Sequence, residues 1–266
     1  MAVPLPPISA QQAQQAFSAA EAASAATKAV LSATPATQLA AQVTAGVSSS
    51  TAYCDRVAAA HRLNERFAAC ATYEEAISIA YYLLSASPKL CEALVEMLVD
   101  GDALGEIAVQ LLHSLSLHDD GAQAVVRAGA APVLTAALRA EDPLMRAHGL
   151  ALLATLAERS TLASSLVKAG VMKLLSFLGK MAVGDAASAA QLWPTLLGIA
   201  DCLLRDPRTV PERQRAQFRD VLVGVARAHK AGSLPLALAD ARTLNKLMID
   251  LRAFNLAAPP PAAKKR

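Results

Sequence analysis

Apolar residues return every three or four positions along most of the chain between residues 51 and 257. The stretch 103–117 is the clearest case. Leu104, Ile107, Ala108, Leu111, Leu112 and Leu115 fall on one helical face, and Glu106, Gln110 and His113 fall opposite it. In 211–229 the stripe is Phe218, Val221, Leu222 and Val225. Pro211 suits the first turn there, and Glu212 suits the positive N-terminus of a helix. Read the same way, the spacing predicts helices over 55–70, 73–86, 88–99, 103–117, 121–128, 131–140, 143–158, 161–169, 171–181, 185–204, 211–229 and 234–253. No run reads as a strand, so the expected fold class is all-α.

The ends break the pattern. Residues 1–50 carry only two charges, Glu21 and Lys28, among Ala, Ser, Gln and Thr. Gln11–Leu31 offers few large apolar residues to bury, so 1–50 is expected to be a low-complexity arm. An atypical organelle transit segment is the alternative, although no arginine precedes Arg56. Pro4, Pro6 and Pro7 stand where the apolar core of a secretory signal would begin. At the other end, residues 258–266 carry three prolines that cannot continue a helix, then Lys264, Lys265 and Arg266. They read as a basic, solvated tail. The helical domain is therefore expected over 51–257.

Within it the sequence repeats. Val125-Val126-Arg127-Ala128-Gly129 returns as Leu166-Val167-Lys168-Ala169-Gly170, with the two glycines 41 residues apart. Leu111, Leu112 and Leu115 return as Leu152, Leu153 and Leu156 at the same interval. One period holds a short helix, a glycine corner, a second helix and a longer third helix. Two helices meeting sharply need a residue that accepts left-handed dihedrals, which is the physical reason for the glycine. One such repeat cannot bury its apolar face alone, so neighbours are expected to stack.

These residues resemble the armadillo family. The family's corner reads approximately Ile-Val-x-Ala-Gly-x-Ile-Pro-x-Leu, and here Val125, Val126, Ala128, Gly129, Pro132 and Leu134 stand in it. Its third helix reads approximately Asp-x-x-Val-Arg-x-x-Ala-x-x-Ala-Leu-x-x-Leu-Ala. Asp142, Met145, Arg146, Gly149, Leu152, Leu153, Leu156 and Ala157 match it or substitute conservatively. The resemblance is strongest over 102–182 and implies a short right-handed α-solenoid. Between Ser85 and Asp102 there is room for only one helix, so that repeat is expected to be shortened. Pro194 inside the third helix of 185–204 is expected to kink it.

The resemblance also implies a binding face, because third helices line the concave side of such a solenoid. The groove positions are Gln110 and Ser114, then Ala151 and Thr155, then Pro194 and Gly198. Family members that bind extended peptides, such as importin-α, carry asparagine at the positions of Ser114, Thr155 and Gly198, and tryptophan at those of Gln110, Ala151 and Pro194. Neither ladder is present. Trp193 misses its position by one residue, about 100° around a helix. A nuclear-import role is not expected.

Composition adds little that points to chemistry. Hydrophobic residues make up 54% of the chain and aromatics 4%, so the core must be aliphatic. The net charge of +3 does not by itself imply a nucleic-acid partner. No run of eighteen apolar residues occurs, so no membrane span is expected. Cys54, Cys70, Cys91 and Cys202 lack metal-ligand spacing and read as buried thiols of an intracellular protein. His113, His118, Asp119 and Asp120 are close in sequence, but positions i and i+5 do not share a helix face. His118-Asp119-Asp120 reads as a loop and helix cap, and His148 as a partly buried core histidine. No phosphate-binding, dinucleotide, metalloprotease or nucleophile-elbow pattern occurs.

The densest basic stretch is Arg205, Arg208, Arg213, Arg215 and Arg219, interleaved with Asp206, Glu212 and Asp220. It reads as a solvated face, or as a patch for an acidic protein surface; the aromatic residues that would stack bases are missing. The expected role is a non-catalytic scaffold or structural subunit without cofactor or metal, working with other proteins in a cytoplasmic, cytoskeletal, ciliary or organellar assembly. A regulatory subunit that binds and tunes an enzyme is the second expectation.

Overall fold

The computed structural model describes residues 35–45, 50–100, 102–139, 143–184, 186–234 and 236–257. Of the arm expected over 1–50, residues 1–34 and 46–49 lie outside the described residues, as do the tail expected over 258–266 and Asp142. Among the described residues the fold is all-helical, without strands. The chain divides into two compact units, Met1–Gly129 and Ala130–Arg266.

The first unit contains α1 (Pro35–Thr44), α2 (Ser50–Ala68), α3 (Tyr73–Ala86), α4 (Leu90–Asp100), α5 (Asp102–Leu115) and α6 (Asp119–Arg127). Helix α5 packs against α4, α2 and α3, and α3 packs on α6. The face predicted for α5 is the buried one: Leu104, Ile107, Ala108, Leu111, Leu112 and Leu115 all lie in the core. Only α4 stands between α3 and α5, as the spacing from Ser85 to Asp102 predicts.

The second unit contains α7 (Ala130–Ala137), α8 (Pro143–Ala157), α9 (Ala163–Lys168), α10 (Val171–Gly184), α11 (Ala186–Leu203), α12 (Glu212–Lys230) and α13 (Leu238–Ala257). Single 3-10 turns precede α9 and α12, at Ser160–Leu162 and Pro207–Thr209. Helix α10 packs on α11 and α12, and α11 packs on α8 and α13. The stripe Phe218, Val221, Leu222 and Val225 of α12 is buried as expected. Pro194 lies inside α11, which continues from Ala186 to Leu203 around it.

The two predicted corners share one geometry. Ala128 sits at φ −67°, ψ −7° and Ala169 at φ −67°, ψ −8°. Gly129 and Gly170 follow in the left-handed region, at φ 85° and 92°. The Ala128 N–H donates to the Ala124 carbonyl and the Gly129 N–H to Val126; Ala169 and Gly170 repeat this toward Ser165 and Val167. An L side chain at either glycine would be strained, so the repeated Ala-Gly pair has a direct backbone cause. A third copy closes α12, where Gly232 has φ 74°. The Ser233 and Leu234 N–H groups both donate to the Ala228 carbonyl there.

The structure corrects three expectations. Residues 35–44, assigned by composition to the arm, form α1, with Ala36, Leu39, Ala40 and Val43 buried. Their spacing is helical, but alanine neighbours hide it. The last helix begins at Leu238 rather than 234, because the closure of α12 engages Ser233 and Leu234. Pro211 is the N-cap of α12, one residue before its first turn, with Glu212 opening the helix.

Gly121 in the first turn of α6 is needed for close approach. A Cβ there would lie 1.9 Å from the Leu115 carbonyl oxygen and 2.9 Å from His118 Nε2. Gly121→Ala is expected to cost about 1–3 kcal/mol by forcing α6 off the end of α5, read as a lowered midpoint in urea. An unchanged midpoint would mean that this contact yields without strain.

Candidate functional site

The six groove positions are all at least partly accessible. Gln110 and Ser114 are half-buried one turn apart on α5 in the first unit. Gln110 accepts a hydrogen bond from Asn64 on α2 and donates to Glu106 at 3.1 Å. The Ser114 hydroxyl turns back to the Gln110 carbonyl at 3.1 Å. In the second unit, Ala151 and Thr155 are half-buried on α8, and Pro194 and Gly198 are exposed on α11, which packs against α8. A Cβ at Gly198 would meet nothing within 4 Å. In each unit these positions present small or uncharged side chains.

The basic stretch does not form one patch. Arg205, Arg208 and Arg213 are exposed, whereas Arg215 is buried and donates to the Val210 carbonyl at 3.0 Å. Its guanidinium ties α12 to the turn before it and is not available to a ligand. Arg219 lies 3.7 Å from Asp220. Arg205 donates to the Cys202 sulfur at 3.5 Å, and the Arg208 N–H to Asp206 at 3.1 Å. The interleaved acids therefore face the same solvent as the arginines.

The cysteines differ from expectation: Cys91 alone is buried, Cys70 and Cys202 are half-buried, and Cys54 is exposed. Burial, with Glu92 beside it, pushes the Cys91 thiol up to about 12. Burial raises Cys70 as well, helped by Glu75. Thiols raised in this way are poor nucleophiles at neutral pH. An open cleft of about 470 Å³ is lined by Leu39, Arg62, Glu65, Arg66, Ala69, Glu75 and Ile79. The Glu75 carboxylate accepts from the Ala71 N–H at 2.9 Å, while the Thr72 hydroxyl caps the Glu75 N–H. Glu75 thus closes the N-terminus of α3.

His118 is the N-cap of α6, as its loop reading predicts. Its Nδ1 accepts from the Gly121 N–H at 3.1 Å. Two rings from α3 reach the same segment. The Tyr73 hydroxyl donates to the Leu117 carbonyl at 3.2 Å, and the Tyr81 ring meets His118 edge-on at 5.9 Å between centroids. Both tyrosines nevertheless stay about half exposed, at 52% and 48%. The sequence reading missed this pair; Tyr73, Ile77 and Tyr81 at i, i+4 and i+8 were its signal. His148 is half-buried on α8, as expected. Among the described residues, no three His, Cys, Asp or Glu side chains are placed to hold a metal ion.

Among the described residues no single helix is long and apolar enough to cross a membrane. Leu144–Ala157 with Ser160–Lys168 reaches that length and composition only as a pair bent by 103°.

No family model and no curated protein matches the sequence. Among solved structures, the chain is similar to the crystal structure of an engineered protein from a structural genomics consortium. The TM-score is 0.60 at 18% identity, covering 91% of this chain and 90% of that one. A second engineered protein matches with a TM-score of 0.48 at 16% identity, over 83% of this chain and 99% of that one. The first likeness bears on the helical fold alone.

Proposed function

We propose that this chain is a short armadillo-like α-solenoid acting as a non-catalytic, protein-binding subunit of a larger assembly. The observation that carries the reading is the pair of corners at Gly129 and Gly170. They lie 41 residues apart, with matching dihedrals and hydrogen bonds. A unit repeated at that interval is the signature of helical repeat proteins, whose stacked helices offer extended surfaces to other proteins. The small, uncharged groove positions support an apolar or alanine-rich partner helix, because such side chains permit close approach and lose little on desolvation.

The test is affinity purification of the tagged full chain with mass spectrometry, beside the Ala151→Arg, Thr155→Arg double variant. Wild type is expected to bring down a defined set of subunits. The double variant is expected to lose them while melting near the wild-type temperature. Retention of the full set would remove the groove as the binding face, and recovery of the chain alone would overturn the scaffold reading.

A further inference from the structure

We infer that Tyr73 and Tyr81, with the acidic residues that flank them and their tethers in the chain, form a docking site for an arginine- or lysine-bearing segment of a partner protein. The inference rests on the protein-binding reading above and assigns one contact surface to the first unit. Tyr73 and Tyr81 stand two turns apart on one face of α3, with half-buried Ile77 between them. Each is tethered to the connection before α6, Tyr73 through its hydroxyl to Leu117 and Tyr81 through its ring to His118. About half of each side chain remains open to solvent. Ordering these rings before binding reduces the entropy lost when a ligand docks, and tyrosine is enriched at binding hot spots.

Charge selects the occupant. Glu74 follows Tyr73 on α3, and Asp119 and Asp120 follow the tethered Leu117 and His118 at the start of α6; all three are exposed. Tyr73–Ala86 contains no lysine or arginine, and Asp119–Arg127 has only Arg127, in its last turn and away from the two aspartates. A cation over a tyrosine face gains from the ring quadrupole, and the carboxylates raise its local concentration. A guanidinium or ammonium group on an otherwise apolar segment meets both features, and an acidic segment would meet repulsion.

Fluorescence anisotropy on the full chain tests this with two labelled peptides, one alternating leucine with arginine and the other alternating leucine with glutamate. The arginine peptide is expected to bind on the order of tenfold more tightly, and to weaken as salt rises. Tyr81→Ala is expected to cost on the order of tenfold in that affinity, with its melt unchanged. Tyr81→Leu, which keeps apolar area without the aromatic face, is expected to recover only part of it. Glu74→Gln with Asp119→Asn and Asp120→Asn keeps the side-chain shapes and is expected to abolish the salt dependence.

Equal binding of the two peptides, or full binding by Tyr81→Ala, would overturn the proposal. So would a gain in peptide affinity on deleting residues 262–266, since the occupant would then be this chain's own basic end. Failure here with the co-purifying subunits intact rejects this site and leaves the scaffold reading standing.

Discussion

Trp193→Ala is expected to lower the stability of the second unit by about 3–5 kcal/mol. Trp193 is fully buried on α11. Its ring lies against bare backbone on α10: a Cβ on Gly179 would come within 3.0 Å of the indole Cη2 and 2.7 Å of Val221 Cγ1. Residues of α10, α11 and α12 therefore meet at this ring. The indole N–H is buried and finds no acceptor among the described residues. Trp193→Phe removes that unmet donor while keeping most of the apolar area, so it is expected to cost much less than alanine. Urea titration followed by circular dichroism separates the two. Equal losses for phenylalanine and alanine would show that the ring's packing is not what stabilises the unit.

Leu112→Ala and Leu153→Ala are each expected to cost about 2–5 kcal/mol. Both side chains are fully buried, one on α5 and one on α8, at positions 41 residues apart. Equivalent places in a repeat have similar surroundings, so the two losses should resemble each other. Thermal melts that left both variants at the wild-type midpoint would dissolve the alignment on which the repeat rests.

What the sequence made legible follows from how strongly each feature is imprinted in residue type. The face of α5 is written in leucine and isoleucine against glutamate and glutamine, so period and burial coincide. Gly129 and Gly170 were legible because only glycine is comfortable at their φ. The third corner was equally present, since Lys230-Ala231-Gly232 copies Lys168-Ala169-Gly170. Its offset of 62 residues conceals it from a search at 41. Helix α1 stayed hidden because alanine buries well and yet contrasts little with its polar neighbours.

The surface was harder to read. A charge pattern cannot tell an exposed arginine from one folded back on a carbonyl, which is why Arg215 was counted with its neighbours. Nor does tyrosine spacing reveal tethering: Leu117 and His118 lie more than thirty residues beyond Tyr81 and come back to it only through the packing of α3 on α6.

The burial of Trp193 has a practical consequence. It is the chain's single tryptophan, so emission excited at the red edge, where tyrosine does not absorb, comes from one site within Ala130–Arg266. A shielded indole emits toward the blue and shifts to the red when water reaches it. Emission thus follows the opening of the second unit alone, while far-ultraviolet dichroism follows helices in both. Superimposable curves from the two signals would mean that the halves unfold as a single cooperative block. A dichroism change preceding the emission shift would mean that Met1–Gly129 gives way first.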